Sequence, residues 1–411
     1  MWINCSIRQL SKRKARLWHV NKRGHWSNRS KVREYRETCK QLVKLSNDAM
    51  INLERRLAFN KNKKELYAYV KSKQSINRGI AAVHAPSGNT VTKPNEIAEI
   101  LNSHFGSVFT VDTIQPTQNL GINYNTTTNL SCIRFLEADI SSRLASLDIS
   151  KSPGIDQIHP RVLKECSPSF ALPLKLIFEL SLSSGKIPDI WRLANVTPIF
   201  KKGSRLDPSN YRPISLTSIP CKIMETIIKQ STMAHFYENQ LLSLEQHGFV
   251  PRRACNTNLI ESVDMATSLT DRGHAVDIIF LDFAKAFDKV SHHKLVIKLH
   301  SMGISGHLLD WFSDFLRARR QRVVLGEHTS DWIDVTSGVP QGSVLGPTLF
   351  IAYVNDLPSA IINVSKLYAD DCKIIAKVDS ENDYNILQSD LDSVSNWCSI
   401  WDMELSDMKC R

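Results

Sequence analysis

With 411 residues, 42% of them apolar and 23% charged, the chain has room for two or three globular domains, or one large enzyme core with extensions. Its formal charge of +11 favours a polyanionic partner, and the excess is local: residues 1–80 carry 21 Lys/Arg against 5 Asp/Glu, a net of +16, leaving −5 for the rest. Nine cysteines without one C-x-x-C pair exclude a common zinc module and suit a reducing compartment, while no apolar run reaches the ~18 residues of a membrane span and no apolar signal core opens the chain.

Residues 1–80 read as basic helices, with Val32, Leu42, Met50, Leu53 and Leu57 scattered among charges in one segment and Leu66, Tyr67, Tyr69 and Val70 in the next. Lys12-Arg13-Lys14-Ala15-Arg16 has the character of a nuclear address, so nucleus and cytoplasm are the expected compartments. A turn at Pro86-Ser87-Gly88-Asn89 precedes a helix over about 94–108. Residues 111–133 are poor in charge and rich in Thr, Asn and Gln, the pattern of a linker. Beyond it come a short helix from Leu136, a tight turn at Lys151-Ser152-Pro153-Gly154-Ile155-Asp156, and a buried helix from Pro173 to Ser184. Asn195 to Phe200 is a strand interrupted by Pro198, which predicts a sheet edge, and it delivers Lys201 and Lys202 at its end.

Tyr211-Arg212-Pro213-Ile214-Ser215 leads into a helix over about 220–237, and Gln246-His247-Gly248-Phe249 precedes an amphipathic helix over 259–270. Asp277 to Phe283 alternates as a strand ending in Asp282, followed by a helix around 292–300 whose His292 and His293 read as surface or capping groups. The helix over 307–317 offers Trp311, Phe312 and Phe315 to a core, and the arginines of 317–322 suit either a solvated end or a phosphate backbone. Two valine-bearing strands, about 321–326 and 331–336, form a hairpin before the glycine-rich loop Ser337 to Pro347 and a helix to about Val354. A helix over 384–401 and a short strand at Met403-Glu404-Leu405 end the pattern. Helices and strands alternate in the manner of an α+β fold.

The sharpest signal is Lys366-Leu367-Tyr368-Ala369-Asp370-Asp371-Cys372-Lys373-Ile374-Ile375, two adjacent carboxylates at the turn of an apolar hairpin. Taken alone, the pair is more often a solvated turn. Adjacent like charges there are costly without a cation, and the Asp282 strand end supplies a third carboxylate. Three carboxylates on two strand ends suit two magnesium ions ~3.5–4 Å apart, which need oxygen ligands rather than histidine or cysteine. The carbonyl of Phe283 offers a further ligand.

Phe280-Leu281-Asp282-Phe283-Ala284-Lys285-Ala286-Phe287-Asp288, Gly338-Val339-Pro340-Gln341-Gly342-Ser343 and Tyr368-Ala369-Asp370-Asp371 resemble, in order, the motifs of reverse transcriptases, specifically those of non-LTR retrotransposons of the jockey/CR1 type. The blocks at 151–156, 211–215 and 246–249 are similar to further upstream motifs, so the resemblance covers about 135–411. It implies an RNA-directed DNA polymerase that adds dNTPs to a primer 3′-OH on an RNA template with Mg2+, or Mn2+ as substitute. The alternative is a truncated, inactive remnant that only binds RNA. An intron-encoded enzyme that assists splicing fits less well.

The resemblance implies a right-hand palm and fingers: a basic helical segment over 1–110, a linker over 111–134, fingers with the start of the palm over 135–275, and palm over 276–411, the reverse transcriptase domain spanning about 180–411. It further implies Asp282, Asp370 and Asp371 as metal ligands and catalytic carboxylates, and Lys201 and Arg212 as triphosphate holders. Phe287 would crowd a 2′-hydroxyl, or be simply a core aromatic. Gln341 and Gly342 would lie along the incoming nucleotide. Lys409 stands near the family's lysine that protonates pyrophosphate. Against the family pattern, the chain is expected to stop before a thumb and to begin after any endonuclease. Template, target site and oligomeric state are not specified by these motifs.

Overall fold

The computed structural model describes residues 5–59, 63–73, 79–110, 124, 126, 128–406 and 409–410, and the chain divides into two compact units, 1–78 and 79–411. In the first, α1 (Cys5–Arg23) and α2 (Arg29–Phe59) pair along much of their length, followed by α3 (Lys63–Lys73). The least exposed residues of α1 are Ile7, Leu10, Lys14, Leu17 and Asn21, spaced alternately by three and four. That is the seam of a two-helix coiled coil, and α2 answers it with Val32, Tyr35, Cys39, Leu42 and Ser46. The turn is fixed by Asn28 Oδ1, which accepts from the N–H groups of Ser30 and Lys31 at 3.1 Å each and so caps α2. All seven Lys/Arg side chains of α1 therefore lie off the seam except Lys14.

The second unit begins with a small hairpin, β1 (Val83–His84) and β2 (Thr90–Val91), then α4 (Pro94–Gly106). Next come α5 (Glu137–Ala145), α6 (Pro160–Glu165) and α7 (Ser167–Ser184). β3 (Leu193–Phe200), β4 (Tyr211–Leu216), α8 (Ile219–Glu238) and α9 (Cys255–Asp271) follow. β5 (Val276–Asp282) leads to α10 (Ala286–Lys289), α11 (His292–Ser301) and α12 (Gly306–Leu316). The last stretch holds β6 (Arg319–Leu325), β7 (His328–Thr329), β8 (Ile333–Val335), α13 (Gly346–Tyr353), β9 (Val364–Tyr368), β10 (Asp371–Lys377) and α14 (Glu381–Ile400). Among the described residues no helix is long and apolar enough to cross a membrane.

Two sheets organise this unit. One has the order β5-β10-β9, antiparallel throughout; the other runs β4-β3-β6-β7, with β8 also paired to β6. The larger core gathers Phe178, Phe236, Phe283, Trp311, Phe312, Phe315, Phe350 and Tyr353 under the first sheet and its helices. Burial of each such side chain contributes about 1.5–3 kcal/mol. Trp311 meets its polar need by donating to Ser181 Oγ at 3.0 Å.

Four expectations change. β3 is interior to its sheet, not an edge: it pairs with β4 over 195–200 and with β6 over 193–196. Pro198 is tolerated because it faces Pro213, where neither can donate, and because the β6 pairing ends at Val196. α7 starts at Ser167 and carries Pro173 inside it, rather than starting there. Residues 79–110 belong with the second unit rather than with the basic helices, because Ile97, Ala98, Leu101 and Phe105 of α4 form a core with Val83, Val196, Tyr211 and Val323. Most of the expected linker lies outside the described residues, but Leu130 is tied into this unit through main-chain bonds with Gly303 (2.9 Å) and Ser305 (3.0 Å).

The arginines of 317–322 are largely structural. Arg319 is buried and donates to the Phe315 carbonyl at 2.9 Å, while Arg322 donates to Asn195 Oδ1 at 2.9 Å and covers the Trp332 ring.

Candidate active site

Strand pairing alone brings two of the three carboxylates together. Asp282, last residue of β5, stands directly opposite Asp371, first residue of β10. Opposed residues of an antiparallel pair project from the same face with Cβ atoms about 4.5–5.5 Å apart. Asp370 occupies the two-residue turn with Ala369, between the facing pair Tyr368 and Asp371. Ala369 holds φ +58°, the positive value that tight hairpin turns require, which costs an alanine about 1–2 kcal/mol.

The electrostatics follow from that crowding. Burial pushes the Asp370 carboxyl above the usual carboxylate range; its own main-chain N–H opposes this, and Asp282 adds to it. Asp371 is likewise raised, first by burial and then by Asp370 and Asp282. Lys409 and Lys201 pull both back down. Lys409 Nζ donates to Asp282 Oδ1 at 2.6 Å. The segment carrying it is anchored beside β5, since Ser406 N donates to the Asp282 carbonyl at 2.8 Å and Ala284 N to the Glu404 carbonyl at 2.7 Å.

Lys201 extends from the end of β3, its main-chain N–H donating to the Asn210 carbonyl at 2.8 Å. Burial lowers its ammonium pKa, and Arg212, Lys409 and Lys202 lower it further, while Asp282 opposes them. Lys201 and Lys409 thus share one field with the three carboxylates, and Arg212 adjoins it through Lys201. Arg212, on β4 opposite Ile199, is exposed.

The glycine-rich loop lies between the exit of β5 and β4. Gly338 has φ +87°, and a Cβ there would stand 2.8 Å from both the Phe287 and Asp288 carbonyl oxygens. Gly342, at φ +110°, leaves 2.6 Å between an added Cβ and the Ser215 carbonyl oxygen. Ser215 N donates to the Gln341 carbonyl at 2.8 Å, and Gln341 Nε2 donates to Asp288 Oδ1 at 2.8 Å. Burial raises the Asp288 carboxyl and Gln341 opposes that shift. In this state, then, the Gln341 side chain is engaged by Asp288. Phe287 is stacked on Phe350, centroids 4.3 Å apart, and meets Phe249 edge-on at 6.3 Å, so it is a packed aromatic.

Three residues carry this scaffold in ways the sequence did not assign to them. His292 is buried, not a surface group, and its Nε2 donates to the Gly338 carbonyl at 2.8 Å. Glu225, wholly buried in α8, accepts from Val344 N at 2.7 Å and Leu345 N at 3.1 Å at the start of α13. Burial raises its carboxyl, and those two N–H groups oppose the rise. Gln246 is the third, its amide oxygen accepting from Gly248 N at 2.7 Å and Ala369 N at 3.0 Å. A lone acid among the apolar residues of α8 was the available signal for Glu225; nothing local marked the other two.

Three carboxylates and the Phe283 carbonyl form an all-oxygen donor set suited to magnesium. Burial and the crowding of like charges raise the Asp370 and Asp371 carboxyls, the mark of a place short of positive charge, so the residues fit such an ion. Among the described residues, no three His, Cys, Asp or Glu side chains stand as a closed ligand set, and Asp282 is paired with the Lys409 ammonium instead.

Comparison with known proteins agrees with the motif order. Residues 199–411 match the family described as reverse transcriptase (RNA-dependent DNA polymerase). The RNA-directed DNA polymerase from mobile element jockey of Drosophila melanogaster is 29% identical over 282 residues, 66% of this chain and 31% of that protein. The probable RNA-directed DNA polymerase from transposon BS of the same species is 30% identical over 288 residues, 66% of this chain and 31% of that protein. The corresponding X-element protein is 25% identical over 325 residues, 76% and 36% of the two chains. The chain spans about a third of the length of these curated relatives. Among solved structures, telomerase from Candida Tropicalis in complex with a fragment of telomeric RNA matches at a TM-score of 0.42 and 12% identity, over 59% of this chain and 44% of that one, too loosely to carry an argument. With just over half of its residues inside the family match, the chain belongs to the reverse transcriptase family, beside the polymerases of the jockey, BS and X-element non-LTR retrotransposons.

Proposed function

We propose that this chain is the polymerase portion of a non-LTR retrotransposon reverse transcriptase, adding deoxynucleotides to a primer 3′-OH against an RNA template. The observation that carries the reading is the opposition of Asp282 to Asp371, with Asp370 in the adjoining turn, the cations Lys201 and Lys409 in the same field and Arg212 adjoining it through Lys201. In this reading residues 276–411 are the palm and 135–275 the fingers with the start of the palm. The basic hairpin of α1 and α2 offers positive charge to RNA phosphates.

Asp282, Asp370, Asp371 and the Phe283 carbonyl would hold two divalent cations. Magnesium, when bound, supplies Lewis acidity toward the primer hydroxyl and the triphosphate. Lys201 and the Arg212 guanidinium bind the triphosphate, the latter in the bidentate manner of a planar fork. Gln341 and Gly342 would lie along the incoming nucleotide, on a loop held there by the close approach of Gly342 to the Ser215 carbonyl. Phe287, held by Phe350, forms a rigid wall toward a 2′-hydroxyl. The bond formed joins the 3′ oxygen to the α-phosphorus as the hydroxyl proton passes to solvent; the α–β phosphoanhydride bond breaks, and pyrophosphate leaves with a proton donated by Lys409.

Primer extension on poly(rA)/oligo(dT) tests this. Wild-type chain is expected to incorporate dTMP with Mg2+ and to stop on chelation. Arg212→Ala is expected to raise KM for dTTP about tenfold or more, the loss of a charge-assisted pair, with kcat changed less. Incorporation that persists without divalent cation, or an unchanged KM in Arg212→Ala, contradicts the reading.

A further inference from the structure

We infer that Gln246 is a positioning residue for the turn carrying Asp370 and Asp371. The inference rests on the proposed function but concerns a residue that the carboxylate set does not contain. Gln246 is 1% exposed, and a buried amide must find partners. Both groups facing Oε1, the main-chain N–H of Gly248 and that of Ala369, are donors, so the oxygen must face them. The Ala369 N–H opens the strained turn, one peptide before Asp370, and lies outside the paired residues of β9 and β10. One side-chain oxygen therefore fixes the peptide that precedes the one from which Asp370 hangs.

The neighbouring backbone makes the clamp rigid. Leu367 N donates to the Glu245 carbonyl and His247 N donates to the Leu367 carbonyl, each at 2.9 Å, a strand-like pairing along β9. Asn258 Nδ2 adds a second donor to the Leu367 carbonyl at 3.1 Å. Arg253 Nη1 holds the Gln246 carbonyl at 2.8 Å from behind. Gly248 is required by contact: a Cβ there would sit 2.3 Å from Ala369 N. The Gln-x-Gly spacing thus places an acceptor and a gap against the same turn. Among the described residues Gln246 Nε2 is buried without a hydrogen-bond partner, so an oxygen in its place forfeits no contact with them.

The test uses the full chain as wild type, Gln246→Met and Gln246→Glu. Methionine keeps the length without the acceptor; glutamate keeps the acceptor. In metal-free protein, hydrogen exchange over 368–371 is expected to speed up in Gln246→Met and to return toward wild type in Gln246→Glu. Mn2+ affinity measured by electron paramagnetic resonance is expected to fall about 10–100-fold in Gln246→Met, the range for groups that orient metal ligands. In primer extension kcat falls by a similar ~10–100-fold factor while KM for dTTP stays within about twofold, and glutamate restores both affinity and kcat. Should Gln246→Met lose cooperative unfolding, Gly248→Ala displaces the same turn with Gln246 intact and is expected to show the same split. Unchanged exchange and Mn2+ affinity in Gln246→Met, or equal losses in Gln246→Glu, overturn the inference. If wild type incorporates no nucleotide, the proposed function fails, and the exchange and Mn2+ arms still decide the role of Gln246.

Discussion

Asp370→Asn is expected to lower primer extension about a thousandfold or more, equivalent to about 4 kcal/mol of barrier, while making the metal-free protein more stable. The two effects have one cause. The carboxyl of Asp370 is raised by burial and by Asp282, which means the folded protein holds its proton more tightly than the unfolded chain does. In its ionised form it opposes folding of the metal-free protein. An amide of the same shape removes that repulsion and, under the proposed function, also removes a cation ligand. The same linkage gives a pH dependence. The contributions of Asp370 and Asp371 to metal-free stability increase as pH falls from neutral through their raised folded pKa values. Asp370→Asn should flatten part of that rise. Melting curves with and without Mg2+ check it, since a variant that loses activity by misfolding would melt lower.

Lys298→Met is expected to destabilise the chain by about 3–5 kcal/mol, because it leaves a carboxylate without its buried partner. Lys298, on α11, is wholly buried; its ammonium donates to Asp356 Oδ1 at 2.5 Å and to the Tyr353 carbonyl. Three rings enclose it, Trp401 at 3.5 Å and Trp397 and Tyr353 at 4.9 Å each. Trp397 Nε1 also donates to Asp356 Oδ1, at 3.2 Å. The cluster ties the end of α13 to α14. Burial lowers the Lys298 pKa from 10.5 to about 8 although Asp356 opposes the shift. The unfolded chain then binds the proton more tightly, so this group's contribution to stability increases as pH rises from about 8 to 10.5. Lys298→Met with Asp356→Asn should lie closer to wild type than Lys298→Met alone, and urea unfolding of the three proteins measures that coupling.

The hairpin and the Asp282 strand were legible because both signals are local: β-forming runs, a two-residue turn and acids at strand ends. The two-residue turn sets the register of β9 on β10, whereas the pairing of β10 with β5 is a long-range contact that no local signal carried. The position of β3 was not legible, because Pro198 reports only that its own N–H is missing. It carries no information that β6 stops two residues earlier on that side. His292 looked like a helix-start residue, which it is, yet its ring is buried against Gly338, 46 residues away. Gln246 opened a recognisable block, 246–249, without any local reason for its side chain to reach Ala369, 123 residues on. α4 announced an apolar face but not its partner, so its membership in the second unit emerged only from packing with Val196, Tyr211 and Val323. Gln341 was expected along a nucleotide, and its amide is engaged by Asp288, a pairing that periodicity cannot encode.

The central claim is that Asp282, Asp370 and Asp371 together gather the cations of nucleotidyl transfer. Anomalous scattering from manganese, in crystals of the wild-type chain grown with an RNA template, a chain-terminated DNA primer and dTTP, tests it most directly. Two peaks about 3.5–4 Å apart are expected, bounded by those three carboxylates, with Lys409 released from Asp282. Manganese found elsewhere, with the Lys409–Asp282 pair intact beside a bound nucleotide, would contradict it.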